Sequence, residues 1–244
     1  MGAKTGFMGA PSIRLFVETP LAAGVTIRLP GAQAHYLSRV MRCGVGDDLL
    51  VFNGVDGEFR ACIEEFSRRD AGLRVEAQTR AQAPEPDCWL CFALLKRQKT
   101  DLVVEKATEM GVSRIQPVIT ARTQVDHVNL ERLRAIAIEA AEQCERLAVP
   151  QIMAPMALPA LLADWPVARN LFMADERRAA PTLRFSSEPA ALLVGPEGGF
   201  TDAEVAAIGA NPQFSRVSLG ARILRAETAA IAGLALLLAS GPKE

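Results

Sequence analysis

Two stretches of the chain carry residue types that can do chemistry. The first runs Leu192-Leu193-Val194-Gly195-Pro196-Glu197-Gly198-Gly199-Phe200-Thr201-Asp202-Ala203-Glu204. An apolar run fit for a buried strand passes into a glycine-rich loop. A helix follows, opened by Thr201 and Glu204 at capping-box spacing. Gly195, Gly198 and Gly199 let the backbone approach a ligand closely, and the loop's free N–H groups can hold polar atoms. The spacing is neither that of a dinucleotide fingerprint nor that of a Walker loop, so a nucleotide phosphate is not the expected ligand. A tight strand–helix connection explains the same residues. What favours a ligand is the position, since ligands gather at the carboxyl ends of parallel strands.

The second stretch is Val217-Ser218-Leu219-Gly220-Ala221-Arg222-Ile223-Leu224-Arg225-Ala226-Glu227-Thr228-Ala229. Here two cations, Arg222 and Arg225, bracket an apolar pair in a short loop ahead of a wholly apolar helix. An adenine-bearing ligand needs an apolar slot of this kind beside backbone groups that read its edge. Glu227, near the helix start, is expected to complement the helix dipole. Two basic clusters stand elsewhere. Lys96, Arg97 and Lys99, with Lys106 further on, lie between a strand and a helix, where they can meet RNA phosphates. His35, Arg39 and Arg42 recur at i, i+4 and i+7 as one polar stripe. Solvated surface accounts for either cluster as well. Cys88-Trp89-Leu90-Cys91 is a lone C-x-x-C inside an apolar run. Without a second pair, and with His35 and His127 the only histidines, it reads as core packing, and no metal is expected. Residues 175–178, an acidic pair followed by two arginines, read as a solvated loop.

The elements that must position these residues fall into two patterns. From Ile13 to about Arg80 the signals are short and β-like. Leu49–Phe52 and Glu58–Ile63 flank a turn-forming run, which predicts a hairpin. Residues 35–42 predict the one helix, with Leu37, Val40 and Met41 on its buried side. A small β-barrel fits residues 12–80. Residues 81–87, with Pro84 and Pro86, read as a linker. From residue 88 to 244, strand and helix signals alternate. The unbroken apolar run 88–95 predicts a strand covered on both faces, and Thr100 is expected to cap the next helix. Pro117 predicts that the strand over 115–119 is short or near an edge. Residues 129–147 predict a long amphipathic helix. Strands follow at 170–173, 191–194 and 217–219, with helices from Asp202 and from Glu227. This alternation means an α/β domain on a mainly parallel sheet.

Bulk properties narrow the setting. The 244 residues are half apolar and carry a formal net charge of −1, which speaks against a broad cationic coat for nucleic acid while leaving room for a local patch. Five cysteines, an odd number, suit free thiols in a reducing compartment. The first ten or so residues read as a loose leader without the apolar core of a signal peptide, and the longest apolar run, 229–239, is too short to span a bilayer. A cytoplasmic protein with no membrane partner is expected.

The two glycine-bearing stretches together resemble the RsmE family of SPOUT methyltransferases. That family shows a G-P-E-G-G loop, here Gly195 to Gly199, and an L-G-x-R-I-L-R-x-E-T-A segment, here Leu219 to Ala229. Lys106, Glu109, Gly111 and Val112, the run Glu142 to Arg146, and the N-terminal Arg14 to Val17 and His35 to Arg42 extend the likeness over nearly the whole chain. Ala221 and Ala226 depart from it, standing where proline and threonine are common. The resemblance implies methylation of N3 of a uridine in 16S ribosomal RNA with S-adenosylmethionine as cofactor. It implies a deep trefoil knot in the C-terminal domain, a PUA-like RNA-binding N-terminal barrel, and a homodimer acting on the small ribosomal subunit. Carried onto this chain, it makes Gly195, Glu197, Gly198, Gly199, Leu219, Gly220, Ile223, Leu224 and Thr228 the expected cofactor contacts. The expected RNA contacts are Arg14, His35, Arg39, Arg42, Lys96, Arg97, Lys99 and Lys106. Uracil N3 carries a proton that must leave as the methyl group arrives, and a cation beside the developing oxygen charge would help. Arg225 or Arg222 can supply that cation, and Glu197 can accept a hydrogen bond or the proton. Which residue is the base stays open at this point. Of related enzymes with another RNA target, one that methylates ribose is disfavoured by the run Leu224 to Thr228, while one acting on guanine N1 stays open. A non-catalytic assembly factor is disfavoured by the intact glycine loop.

Overall fold

The computed structural model describes residues 13–67, 69–175 and 180–239. The leader and residues 176–178 of the charged run lie outside them. The chain divides into two compact units, Met1–Ala83 and Pro84–Glu244.

In the first unit the strands are β1 (Arg14–Phe16), β2 (Thr26–Pro30), β3 (Asp48–Phe52), β4 (Glu58–Phe66) and β5 (Asp70–Arg80). They form one sheet in the order β1-β3-β4-β5-β2. β3 and β4 are the expected hairpin, in antiparallel register from Asp48↔Cys62 to Phe52↔Glu58. Its turn is fixed by Asn53, whose Oδ1 accepts from the backbone N–H groups of Val55 and Asp56. Alternate residues Leu49, Val51, Ala61, Ile63, Leu73 and Val75 are fully buried on one face. The ladder leaves β1 and β2 as unpaired ends, so the sheet is a curled half-barrel rather than a closed barrel.

The helix expected over 35–42 begins and ends earlier. Helix α1 (Gly31–His35) starts behind Pro30 and gives way to a π-helical turn, Tyr36–Val40. The wider turn shifts the buried stripe. Leu37 is fully buried, whereas Val40 and Met41 are exposed, which corrects their assignment to the core.

The second unit is a three-layer α/β domain. Its elements are β6 (Cys88–Ala93), α2 (Arg97–Met110), β7 (Arg114–Ile119), α3 (Leu130–Gln143), β8 (Gln151–Ile152), β9 (Met156–Ala157), α4 (Leu158–Ala163), β10 (Asn170–Ala174), β11 (Ala190–Val194), α5 (Asp202–Gly209), β12 (Phe214–Val217) and α6 (Ala226–Leu238). The sheet is parallel, in the order β12-β10-β11-β6-β7-β8, with β9 also against β7. β6 and β11 are the central strands, which is why their sequences are apolar on both faces. Leu90, Phe92, Leu192 and Val194 face α2, α3 and α6, while Cys91, Ala191 and Leu193 face Leu158, Trp165 and Ile208. Burial pushes the Cys91 thiol up to about 12, so the C-x-x-C pair is interior packing without thiolate chemistry.

Three further expectations are corrected and one, for Pro117, holds. α2 starts at Arg97, one turn earlier than expected, with Lys96 as its N-cap. Thr100 is not the cap. It is buried, and its hydroxyl donates to the Leu95 carbonyl. Pro117 lies near the sheet edge, as expected: β8 pairs with Arg114 and Ile115, β9 with Val118 and Ile119, and Pro117 falls in the gap between these short edge strands, where a missing N–H costs no ladder bond. α3 stops at Gln143, and Glu145 just beyond takes a left-handed φ of 61°. β12 ends at Val217, so Ser218 and Leu219 already belong to the loop that follows.

Candidate active site

Three carboxyl-terminal strand ends converge on one cleft of about 270 Å³. β10 contributes Met173, Ala174 and Asp175, β11 runs into Gly195, Pro196, Glu197 and Gly199, and the loop after β12 adds Leu219, Ile223, Leu224 and Arg225. Phe200 forms part of the wall. The Gly195–Phe200 turn is held by the Gly199 N–H donating to the Pro196 carbonyl at 2.9 Å. Gly199 needs its left-handed φ of 68°. At Gly195 the constraint is space, since a Cβ there would sit 2.9 Å from the Phe200 ring. The capping box at Thr201 and Glu204 is formed. Glu204 also reaches back to accept from the Ala121 N–H at 2.7 Å.

Of the expected cofactor contacts, Gly195, Glu197, Gly199, Leu219, Ile223 and Leu224 line this cleft, as does Arg225. Gly198, Gly220 and Thr228 do not. Gly198 turns its carbonyl to the Arg122 guanidinium, which donates at 2.6 Å. Arg122 thus anchors the loop from far along the chain, and nothing in the sequence spacing marks it. Met173 to Asp175 were also missed, although their place at the end of a parallel strand is a usable signal. Asp175 is no solvated loop residue. Its side chain is almost fully buried and takes both Nε and Nη2 of Arg216.

Lys99, on the first turn of α2, donates to Glu197 at 2.9 Å and lies 3.5 Å from Glu227. Its hydrogen bond holds the Glu197 carboxyl below the usual carboxylate range and raises the Lys99 ammonium. The same contact ties Glu197 and its loop to the first turn of α2. Glu227 is mostly buried, and its Oε2 has no hydrogen-bond partner.

The basic residues separate into two groups. His35, Arg39 and Arg42 are exposed on the first unit, and Lys96 and Arg97 on the second. Arg14 is corrected. It is buried, donates to Glu58 at 2.7 Å and lies over the Phe52 ring, a structural role. Lys106 is partly exposed and pairs with Glu105 and Glu109 at 2.7 and 2.8 Å, which partly offset its charge.

The cleft suits S-adenosylmethionine by its donor set. Met173, Phe200 and Leu224 offer apolar walls for a base, and the loop backbones offer polar atoms. Among the described residues no cluster of His, Cys, Asp or Glu is arranged to hold a metal ion.

Comparison with known proteins agrees with this geometry. Residues 82–238 match the RNA methyltransferase domain family, and residues 29–76 the RNA methyltransferase PUA domain. The chain is 35% identical over 230 residues to the ribosomal RNA small subunit methyltransferase E of Rickettsia conorii, covering 91% of this chain and 93% of the relative. It is 34% identical to the protein of that name from Synechocystis, covering 91% of this chain and 76% of the relative. A ribosomal RNA small subunit methyltransferase E from Neisseria gonorrhoeae, solved bound to S-adenosyl methionine, superposes with a TM-score of 0.83 at 29% identity, over 91% of this chain and 95% of that one. A Legionella pneumophila methyltransferase solved with bound SAM gives 0.84 at 29% identity, over 93% and 97%.

Proposed function

This chain belongs to the RNA methyltransferase family, and from that premise we propose that it transfers a methyl group from S-adenosylmethionine to N3 of a uridine in 16S ribosomal RNA. The observation that carries this reading is the meeting of two glycine-bearing loops and the β10 end around one apolar cleft with Arg225 at its mouth.

The bound cofactor supplies an electrophilic methyl group on a sulfonium, and the protein's part is largely positioning. The Gly195–Phe200 turn and the loop 218–225 would hold the cofactor's polar groups through their backbone. Arg225, exposed at the N-cap of α6, can face uracil and offset the charge that grows on its carbonyl oxygens as N3 loses its proton. Arg222 stands ready on the same loop. Lys99 keeps Glu197 ionised and the loop in place.

The N-terminal unit is read as the RNA-binding PUA-like half of the enzyme, with His35, Arg39 and Arg42 as its phosphate contacts. The chain is read as a homodimer with a trefoil-knotted C-terminal domain, acting in the cytoplasm on the assembled small subunit. In support of a dimer, Leu236 of α6 and Leu102 of α2 remain exposed although one face of α6 is covered. No helix of the described residues is long and apolar enough to cross a membrane.

Deleting the gene and analysing the nucleosides of ribosomal RNA by mass spectrometry tests the reading. Loss of 3-methyluridine from the small-subunit RNA, restored by the wild-type gene, is the expected result. An unchanged 3-methyluridine content contradicts it.

A further inference from the structure

A second cavity, of about 480 Å³, lies between the first turns of α2 and α3. One side is basic: Lys96 and Arg97, both exposed, stand at its rim. The other side is apolar, built from Leu95, Val125, Val128 and Leu133. A slot that joins an apolar floor to a cationic rim has the chemistry of a site for a base with its phosphate. Asp101, paired with Arg132, also lines it and keeps a buried Oδ1 without a hydrogen-bond partner, an acceptor suited to a base N–H.

The cavity is next to the cofactor cleft through one helical turn. Arg97, Thr100 and Asp101 recur at i, i+3 and i+4 and share the face that lines it. Lys99 leaves the same turn in another direction and binds Glu197 of the cofactor loop. We propose that this cavity seats a nucleotide adjacent to the target uridine in the substrate RNA. The inference rests on the RNA-methyltransferase reading above and extends it to a second nucleotide site. Apart from Lys96 and Arg97, none of its lining residues stands out in the sequence. Packing creates the slot.

The test uses the full-length protein saturated with S-adenosylhomocysteine and a fluorescent single-stranded RNA hexanucleotide containing uridine. Affinity is read by anisotropy over a range of salt. Val125→Trp fills the floor without changing charge, and Lys96→Ala with Arg97→Ala removes the rim cations. Each is expected to weaken RNA binding about tenfold or more, with S-adenosylhomocysteine affinity and unfolding temperature unchanged. The double variant alone should also flatten the salt dependence, by a slope of about one to two. RNA affinity that stays at the wild-type value or tightens in Val125→Trp overturns the cavity assignment while leaving the methyltransferase reading intact. Should that variant fail to fold, wild-type affinity in the double variant has the same consequence. Displacement of the RNA by equimolar uridine 5′-monophosphate would assign the cavity to a free nucleotide instead and also overturns the proposal. Wild-type protein that binds no RNA and methylates no small subunits sinks the parent reading itself.

Discussion

Arg225 stands at the N-cap position of α6 and lines the cleft, where we propose that its charge faces the substrate. If it stabilises charge that exists only during transfer, Arg225→Ala lowers turnover by about 2–4 kcal/mol of barrier while cofactor affinity hardly moves. Arg225→Lys recovers part of this, because an ammonium lacks the planar fork of guanidinium. Steady-state kinetics beside calorimetry checks the split, and equal losses in both would place Arg225 in the cofactor pocket instead. Glu58 makes a prediction of another kind. Burial alone would raise its carboxyl, but hydrogen bonds from Arg80, Arg14 and Thr79 outweigh burial and leave it below the ordinary value. Its stabilising effect is therefore complete above the unfolded-state value of about 4.3 and is lost as pH falls through the lower folded value. The unfolding temperature of the N-terminal unit should drop below about pH 4. Glu58→Gln should flatten that drop and cost about 3–5 kcal/mol at neutral pH, since it strands the buried Arg14. An unchanged acid limb in thermal melts of the variant contradicts the assignment.

At the scale of elements, the glycine loop separates two residues that look alike in sequence. A Cβ on Gly195 meets the Phe200 ring at 2.9 Å, whereas one on Gly198 meets only the Arg122 side chain at 3.4 Å or more. Gly195→Ala should displace the cleft wall and weaken S-adenosylmethionine binding at least about tenfold, and Gly198→Ala should leave it near wild type. Calorimetry on both variants decides, and equal affinities would mean the ring is not part of the site. Much of this architecture was legible beforehand. The strand–loop–helix at 192–204 announced itself through apolar run, glycines and capping box, and the central strand through its unbroken apolar stretch. What was not legible depends on distant partners. Arg122 reaches Gly198 across the domain, Pro117 is tolerated because two short strands leave a gap beside it, and the π-helical turn at Tyr36–Val40 rotates Val40 out of the core. Arg14 looked like a free cation only because its carboxylate partner, Glu58, is brought to it by folding.

For the whole molecule, we propose that the two units serve one reaction, the first as the RNA-binding half and the second holding the cofactor. The proposed dimer, supported by the exposed Leu102 and Leu236, is expected at micromolar concentration, and sedimentation at the 26.2 kDa mass of a single chain would contradict it. The central claim is the transfer itself. Purified protein, methyl-labelled S-adenosylmethionine and small ribosomal subunits from cells lacking the enzyme should be incubated together, and the RNA digested and resolved by mass spectrometry. The account predicts label in 3-methyluridine, without added metal and strongly reduced with Arg225→Ala. Label in a ribose-methylated nucleoside or another base, or no label at all, would contradict it.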